Sequence, residues 1–159
     1  MTLSRCEICG RPRDEHNRDV RFKLPDPLLK LSAEELRSKI WGNDYLLQVQ
    51  GIGAFVRALL PVHLAGGQML TFGLWLGVRP EELKTLWEIW ESPEYLGHEF
   101  QGWCANAVPP WKQAVLAAPV IARPRKQDEL PWVVSSSSEL MQAILEREWP
   151  HEEILPGLP

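Results

Sequence analysis

A chain of 159 residues has the length of one domain and buries roughly two thirds of its extended-chain surface, so it folds without disulfide staples. Its formal net charge of −4 excludes the broad cationic footprint of sequence-independent nucleic-acid binding. No stretch approaches the ~18 uninterrupted apolar residues of a membrane-spanning helix.

Residues 1–25 read as a polar, Arg-rich leader, and the sharpest chemical signature lies within it, at Cys6-Glu7-Ile8-Cys9-Gly10. Two thiolates at this spacing converge on one ion while the backbone turns around it, and a glycine after the second cysteine permits the positive-φ step of such a turn. Arg and Lys outnumber Asp and Glu in residues 1–23 by six to four, but Asp14, Glu15 and Asp19 are interspersed, which describes a solvated mixed-charge surface better than a phosphate-binding arm.

Two prolines in Leu24-Pro25-Asp26-Pro27 then fix an extended turn. Ser32 lies three residues before Glu35, the reciprocal capping arrangement, and predicts a short helix over 33–40 stopped by Gly42-Asn43. From Tyr45 the period becomes two: Tyr45, Leu47, Val49; Phe55, Arg57, Leu59; and Leu70, Phe72, Leu74, Leu76, Val78. Gly66-Gly67 predicts that strands over 54–63 and 68–78 form an antiparallel hairpin.

Pro80, Glu81 and Glu82 open a helix of about three turns that places Leu83, Leu86, Trp87 and Trp90 on one face, both tryptophans being assigned to the core. A short strand over 100–105 and two more near 115–121 and 131–135 follow. The serines at 135–138 form a strand exit and N-cap for a last helix containing Met141, Ile144 and Leu145, ended by Pro150. The expectation is a single α+β domain: a mainly antiparallel sheet with about three helices over 26–150, the cysteine knuckle in front, and a loose tail at 151–159.

Several short motifs, taken together, resemble a bacterial family known as domain of unknown function 2199. They are Cys6-x-x-Cys9-Gly10, Leu24-Pro25, Phe55-Val56-Arg57, Gly73-Leu74-Trp75 and Gly102-Trp103-x-x-Asn106-x-x-Pro109, in the family's order. The resemblance implies a fold and a motif layout, not an activity. The family pattern has a histidine about three residues after the knuckle glycine; here Arg13 stands at that spacing and His16 comes three residues later.

The candidate metal set is therefore Cys6, Cys9 and His16, for zinc, with Cys104, His98, His63 and His151 available as a fourth ligand. Against this stands a metal-free pair of thiols. An open Cys2His zinc position would make a hydrolase, and His151-Glu152-Glu153 has the His-x-Glu spacing of zinc deaminases, but its order and its neighbour Pro150 favour an exposed acidic tail. Cys104 reads as a core thiol.

Arg57 interrupts an apolar strand. If it points inward it needs a partner, Asp44, Glu88 or Glu99, or a ligand carboxylate. Trp75 alternates opposite Leu74 and Leu76, and Trp103 and Trp111 flank the Asn106 segment. Arg57, Trp75, Trp103, Asn106 and Trp111 are thus the candidate binding residues. The functional expectation is a cytoplasmic, non-enzymatic domain with a structural metal knuckle that binds a protein partner through aromatic side chains. The alternatives are the zinc-dependent hydrolase and a small-molecule sensor with a pocket at Arg57 and Trp75. Neither nucleic acid nor membrane is an expected partner.

Overall fold

The structure is a computed structural model that describes residues 7–9 and 19–158. In chain order these residues form β1 (Asp19–Arg21), α1 (Ala33–Lys39), β2 (Ile40–Gly42), β3 (Leu46–Val49), β4 (Gly53–Leu64), β5 (Met69–Val78), α2 (Pro80–Ile89) and β6 (Phe100–Cys104). They continue as β7 (Pro119–Arg123), β8 (Trp132–Ser135), α3 (Glu139–Glu146), β9 (Glu148–Trp149) and α4 (His151–Ile154).

The β4–β5 hairpin is the longest element and has the predicted pairing, antiparallel from Ala54–Val78 to His63–Met69. Gly66 and Gly67 take φ of 87° and 84° at its tip, a conformation that side-chain-bearing residues resist. Helix α1 begins at the predicted capping box: Ser32 Oγ accepts from the Glu35 N–H at 3.1 Å, and the Glu35 carboxylate accepts from the Ser32 N–H at 3.2 Å. The helix ends earlier than the Gly42-Asn43 signal suggests, because residues 40–42 pair antiparallel with β3 instead of completing another turn.

The sheet is mainly antiparallel, as expected, and it also closes on itself, which the expectation of a sheet did not include. β5 pairs with β6, β6 with β7 and β7 with β8, all antiparallel, and β8 returns to β4 at Leu59–Trp132. Five strands that alternate in direction cannot close without one like-directed contact, and β4–β8 is that parallel contact. β1 extends the free half of β5 in parallel, while β2 and β3 extend β4. The architecture is α+β, with four α-helices among the described residues around a five-stranded barrel.

Alternation assigns the two faces of the hairpin. Val56, Ala58, Leu60, Val62, Leu70, Phe72, Leu74 and Leu76 join the main core with Val120, Met141 and Ile144. Phe55 and Trp75 instead join Leu28, Leu47, Val49 and Ala105 in a second, smaller core on the outside of the barrel wall. Partly buried Leu24, Leu31, Leu36 and Ile40 pack against it. Part of the predicted leader is structured too, since Asp19–Arg21 is a barrel-flanking strand.

Two further expectations are corrected. Leu83 and Leu86 carry α2 onto the barrel, but Trp87, one position round the helix from Leu86, is 42% exposed and Trp90 only half-buried. The C-terminal segment is not a loose acidic tail. Pro150 is the N-cap of α4, His151, Ile154 and Leu155 are buried, and His151 Nε2 donates to the Ala65 carbonyl at the hairpin tip at 2.5 Å. None of the helices among the described residues is long and apolar enough to cross a membrane.

The β5–β6 contact admits no side chain at Gly102: a Cβ there would lie 2.8 Å from the Gly77 carbonyl oxygen and 3.3 Å from Val78 Cγ1. The obstacle is backbone, which cannot swing aside. Gly102→Ala is expected to lower stability by about 1–3 kcal/mol, read as a reduced midpoint of urea unfolding at unchanged slope.

Candidate functional site

Arg57 and Trp75 are directly opposite each other on the outer face of the hairpin. The guanidinium lies 4.4 Å from the indole centroid, and both residues are buried, at 5% and 1% exposure. The sequence left the direction of Arg57 open and offered carboxylates as partners. The structure supplies backbone carbonyls instead: Nε donates to Asp44 O at 3.0 Å, one terminal nitrogen to Phe22 O at 2.8 Å and the other to Lys23 O at 3.4 Å. One cation thereby ties together the chain leaving β1, the β2–β3 turn and β4. Burial, and then the nearby Arg21, press its pKa downward, while Asp44 opposes them.

Asn106 occupies the other end of Trp75. It is fully buried, its Oδ1 accepts from the Trp75 N–H at 2.8 Å, and its Nδ2 donates to Leu24 O at 2.9 Å and Asp26 Oδ1 at 3.0 Å. Asp26 Oδ2 accepts from the Ala107 N–H at 2.9 Å. These bonds spend every hydrogen-bonding group of the amide on the fold and hold residues 24–26 over the second core. Below the Arg57–Trp75 pair opens a groove of about 610 Å³, bordered by Arg21, Lys23, Ile40, Asp44 and Leu47.

A second surface lies on the opposite side of the β2–β3 ribbon. Trp41 on β2 meets Trp87 at 4.5 Å between centroids with the rings tilted by 39°, Tyr45 faces Trp90 at 6.3 Å, and Trp90 meets Tyr95 at 5.1 Å. Trp41, Trp87 and Tyr45 stay 54%, 42% and 40% exposed. Two adjoining hollows of about 470 and 370 Å³ share Trp90 and Glu91 and are edged by Glu88 and Asp128. Among the described residues no cationic side chain pairs with Glu88, Glu91 or Asp128, whereas neighbouring Glu129 is engaged by Trp132 Nε1 at 2.6 Å and Arg125 at 3.5 Å.

The remaining candidates are dispersed. Trp103 on β6 lies across Gly77, where its ring fills the space a Cβ would need, and borders a separate hollow with Arg79 and Glu82. Trp111 packs edge-on against Trp149 at 5.1 Å and lies half-buried against the barrel core. Cys6 and His16 lie outside the described residues, and Cys9 is half-buried against the main core. Among the described residues no three metal-ligating side chains converge. Of the suggested fourth ligands, His98 is paired with Glu82 at 2.8 Å, His151 is in the C-terminal clasp and His63 is exposed at the end of β4.

Sequence reasoning missed Trp41 and Tyr45 as members of an aromatic surface, because Trp41 fell at the end of a predicted helix. It also missed Asp26 as the anchor of Asn106, although an aspartate between two prolines is a turn signal.

Comparison with known proteins places this chain in a family described as an uncharacterized protein conserved in bacteria (DUF2199), whose model matches residues 5–145, and the chain belongs to that family. No curated protein and no solved structure matches it.

Cys104 is a core thiol, as its apolar neighbours suggested. It donates to the Asn106 carbonyl at 3.2 Å, and burial pushes its pKa up to about 11. The unfolded thiol ionises near ~8.5, so stability from keeping it neutral is present below that pH and is lost as pH rises toward 11. Stability of the wild type is expected to fall by about 2–3 kcal/mol across this window through Cys104. Cys104→Ala removes that part of the slope, measured by urea unfolding at successive alkaline pH values.

Proposed function

We propose that this chain is a non-enzymatic interaction domain whose Trp41–Trp87 surface receives a basic segment of a protein partner. The observation that carries the reading is two tryptophan rings in contact at 4.5 Å that remain about half exposed beside carboxylates with no cationic partner among the described residues. A tryptophan pair that served only to close the core would be covered. Here the rings offer rigid area at small entropic cost, and Glu88, Glu91 and Asp128 complete a surface complementary to arginine or lysine.

Cys6, Cys9 and His16 form a structural zinc knuckle with no part in this contact, and the compartment is the cytoplasm, where thiols stay reduced. Elemental analysis of protein prepared without a metal-affinity tag is then expected to give about one zinc per chain, lost in the Cys6→Ser/Cys9→Ser double variant. Metal-free wild type would remove the knuckle from the reading.

The surface itself is tested by fluorescence anisotropy with a labelled Arg-Gly repeat peptide and a Glu-Gly repeat as control. The basic peptide is expected to bind with strong salt dependence. Each ring contributes on the order of 0.5–2 kcal/mol of cation–π attraction, so Trp41→Ala/Trp87→Ala weakens binding about tenfold or more while the unfolding midpoint changes little. Equal affinity for both peptides, or no effect of the double substitution, would sink the assignment.

A further inference from the structure

From the groove beneath Arg57 and Trp75 we infer a second site, distinct from the aromatic surface, that binds a small organic carboxylate with an apolar body. A guanidinium has five N–H donors. Three are used on Asp44 O, Phe22 O and Lys23 O, so each terminal nitrogen keeps one N–H without an acceptor among the described residues. A carboxylate offers two oxygens, and the match between a planar guanidinium and a two-oxygen anion is the strongest of its charge-assisted pairings.

The charge around the groove points the same way. Among the described residues Arg57, 5% exposed, has no carboxylate within ion-pairing distance, and the described lining sets Arg21 and Lys23, two more cations, against one acid, Asp44. Carbonyl oxygens solvate a buried cation but do not neutralise it, and the nearby Arg21 adds repulsion. An entering anion relieves both. Trp75, a lining residue only 1% exposed, also carries a buried indole N–H that meets no acceptor among the described residues.

The rest of the lining describes the ligand's other end. Leu24, Ile40, Leu47 and the Trp75 ring give the groove an apolar flank, and its 610 Å³ lies within the range of sites for small organic molecules. A bare phosphate would leave that flank in contact with water, whereas an aryl or alkyl carboxylate covers it. The inference is therefore a carboxylate with a hydrocarbon or aromatic body, its charge at Arg57 and its body against Trp75 and Leu47.

Arg57 itself is a poor test because its substitution also unties three segments of the backbone. The discriminating variant is Arg21→Met/Lys23→Met, which removes two exposed charges from the groove and leaves the Arg57 bonds in place. The probes are benzoate and phenylacetate, with benzamide as the uncharged control and inorganic phosphate as the rival anion. The readout is the ¹H–¹⁵N spectrum of the full chain, with the Trp75 indole peak assigned through Trp75→Phe and the Arg57 Nε–H peak followed alongside.

Both carboxylates are expected to shift these two peaks saturably below about 10 mM, benzamide and phosphate to shift neither, and the double variant to bind at least fivefold more weakly with an unchanged unfolding midpoint. Phosphate acting as well as benzoate would replace the carboxylate class with a simple anion site and overturn the inference. So would benzamide equal to benzoate, or no saturable shift from either carboxylate.

Discussion

A hairpin apolar on both faces governs the rest of this structure. The β4–β5 ladder buries one set of alternate side chains inside the barrel and another outside it, so the outer set needs its own cover. Residues 24–40 supply that cover, and their attachment explains where polar groups appear in an otherwise apolar wall. Asn106 fastens the start of the segment through Leu24 and Asp26, and Arg57 holds the residues just before it through Phe22 and Lys23. Each bond joins positions far apart in the chain, which makes the outer layer a consequence of tertiary closure and not of local propensity.

The electrostatic design of the two surfaces is opposite in sign. Among the described residues, cations without carboxylate partners gather on one side of the β2–β3 ribbon, and carboxylates without cations gather on the other. The overall charge of −4 conceals this separation, since net charge reports solubility and gross steering but averages over local fields. The aromatic residues divide similarly: Trp75 is enclosed and holds a cation, while Trp41 and Trp87 meet each other and stay about half exposed.

Local chemistry made much of this legible from the sequence. The Gly66-Gly67 turn, the Ser32–Glu35 capping box and the period of two over 70–78 each depend on neighbours a few residues apart, and each formed as expected. Barrel closure depends on Leu59 meeting Trp132, which no local pattern encodes. Pro150 was read as a terminator, but the burial of His151 is set by a carbonyl 86 residues away. Trp87 shares the helical spacing of Leu83 and Leu86, yet an apolar stripe is wider than the strip a barrel wall can cover. Arg57 shows the limit most clearly: its acceptors are main-chain oxygens, which carry no sequence signature.

The β2–β3 ribbon is a party wall. Ile40, Asp44 and Leu47 border the cationic groove, Trp41 and Tyr45 stand on the aromatic side, and Asn43 lines hollows on both. Its turn is held by Asn43 Oδ1, which accepts from the Tyr45 and Leu46 N–H groups at 2.8 and 2.9 Å. Three paired positions join β2 to β3, so the wall is thin, and a displacement of the ribbon would move residues that border both sides. Reciprocity then fixes the bookkeeping of any such displacement: whatever free energy an occupant of one side contributes to ordering the ribbon, an occupant of the other side gains in equal measure.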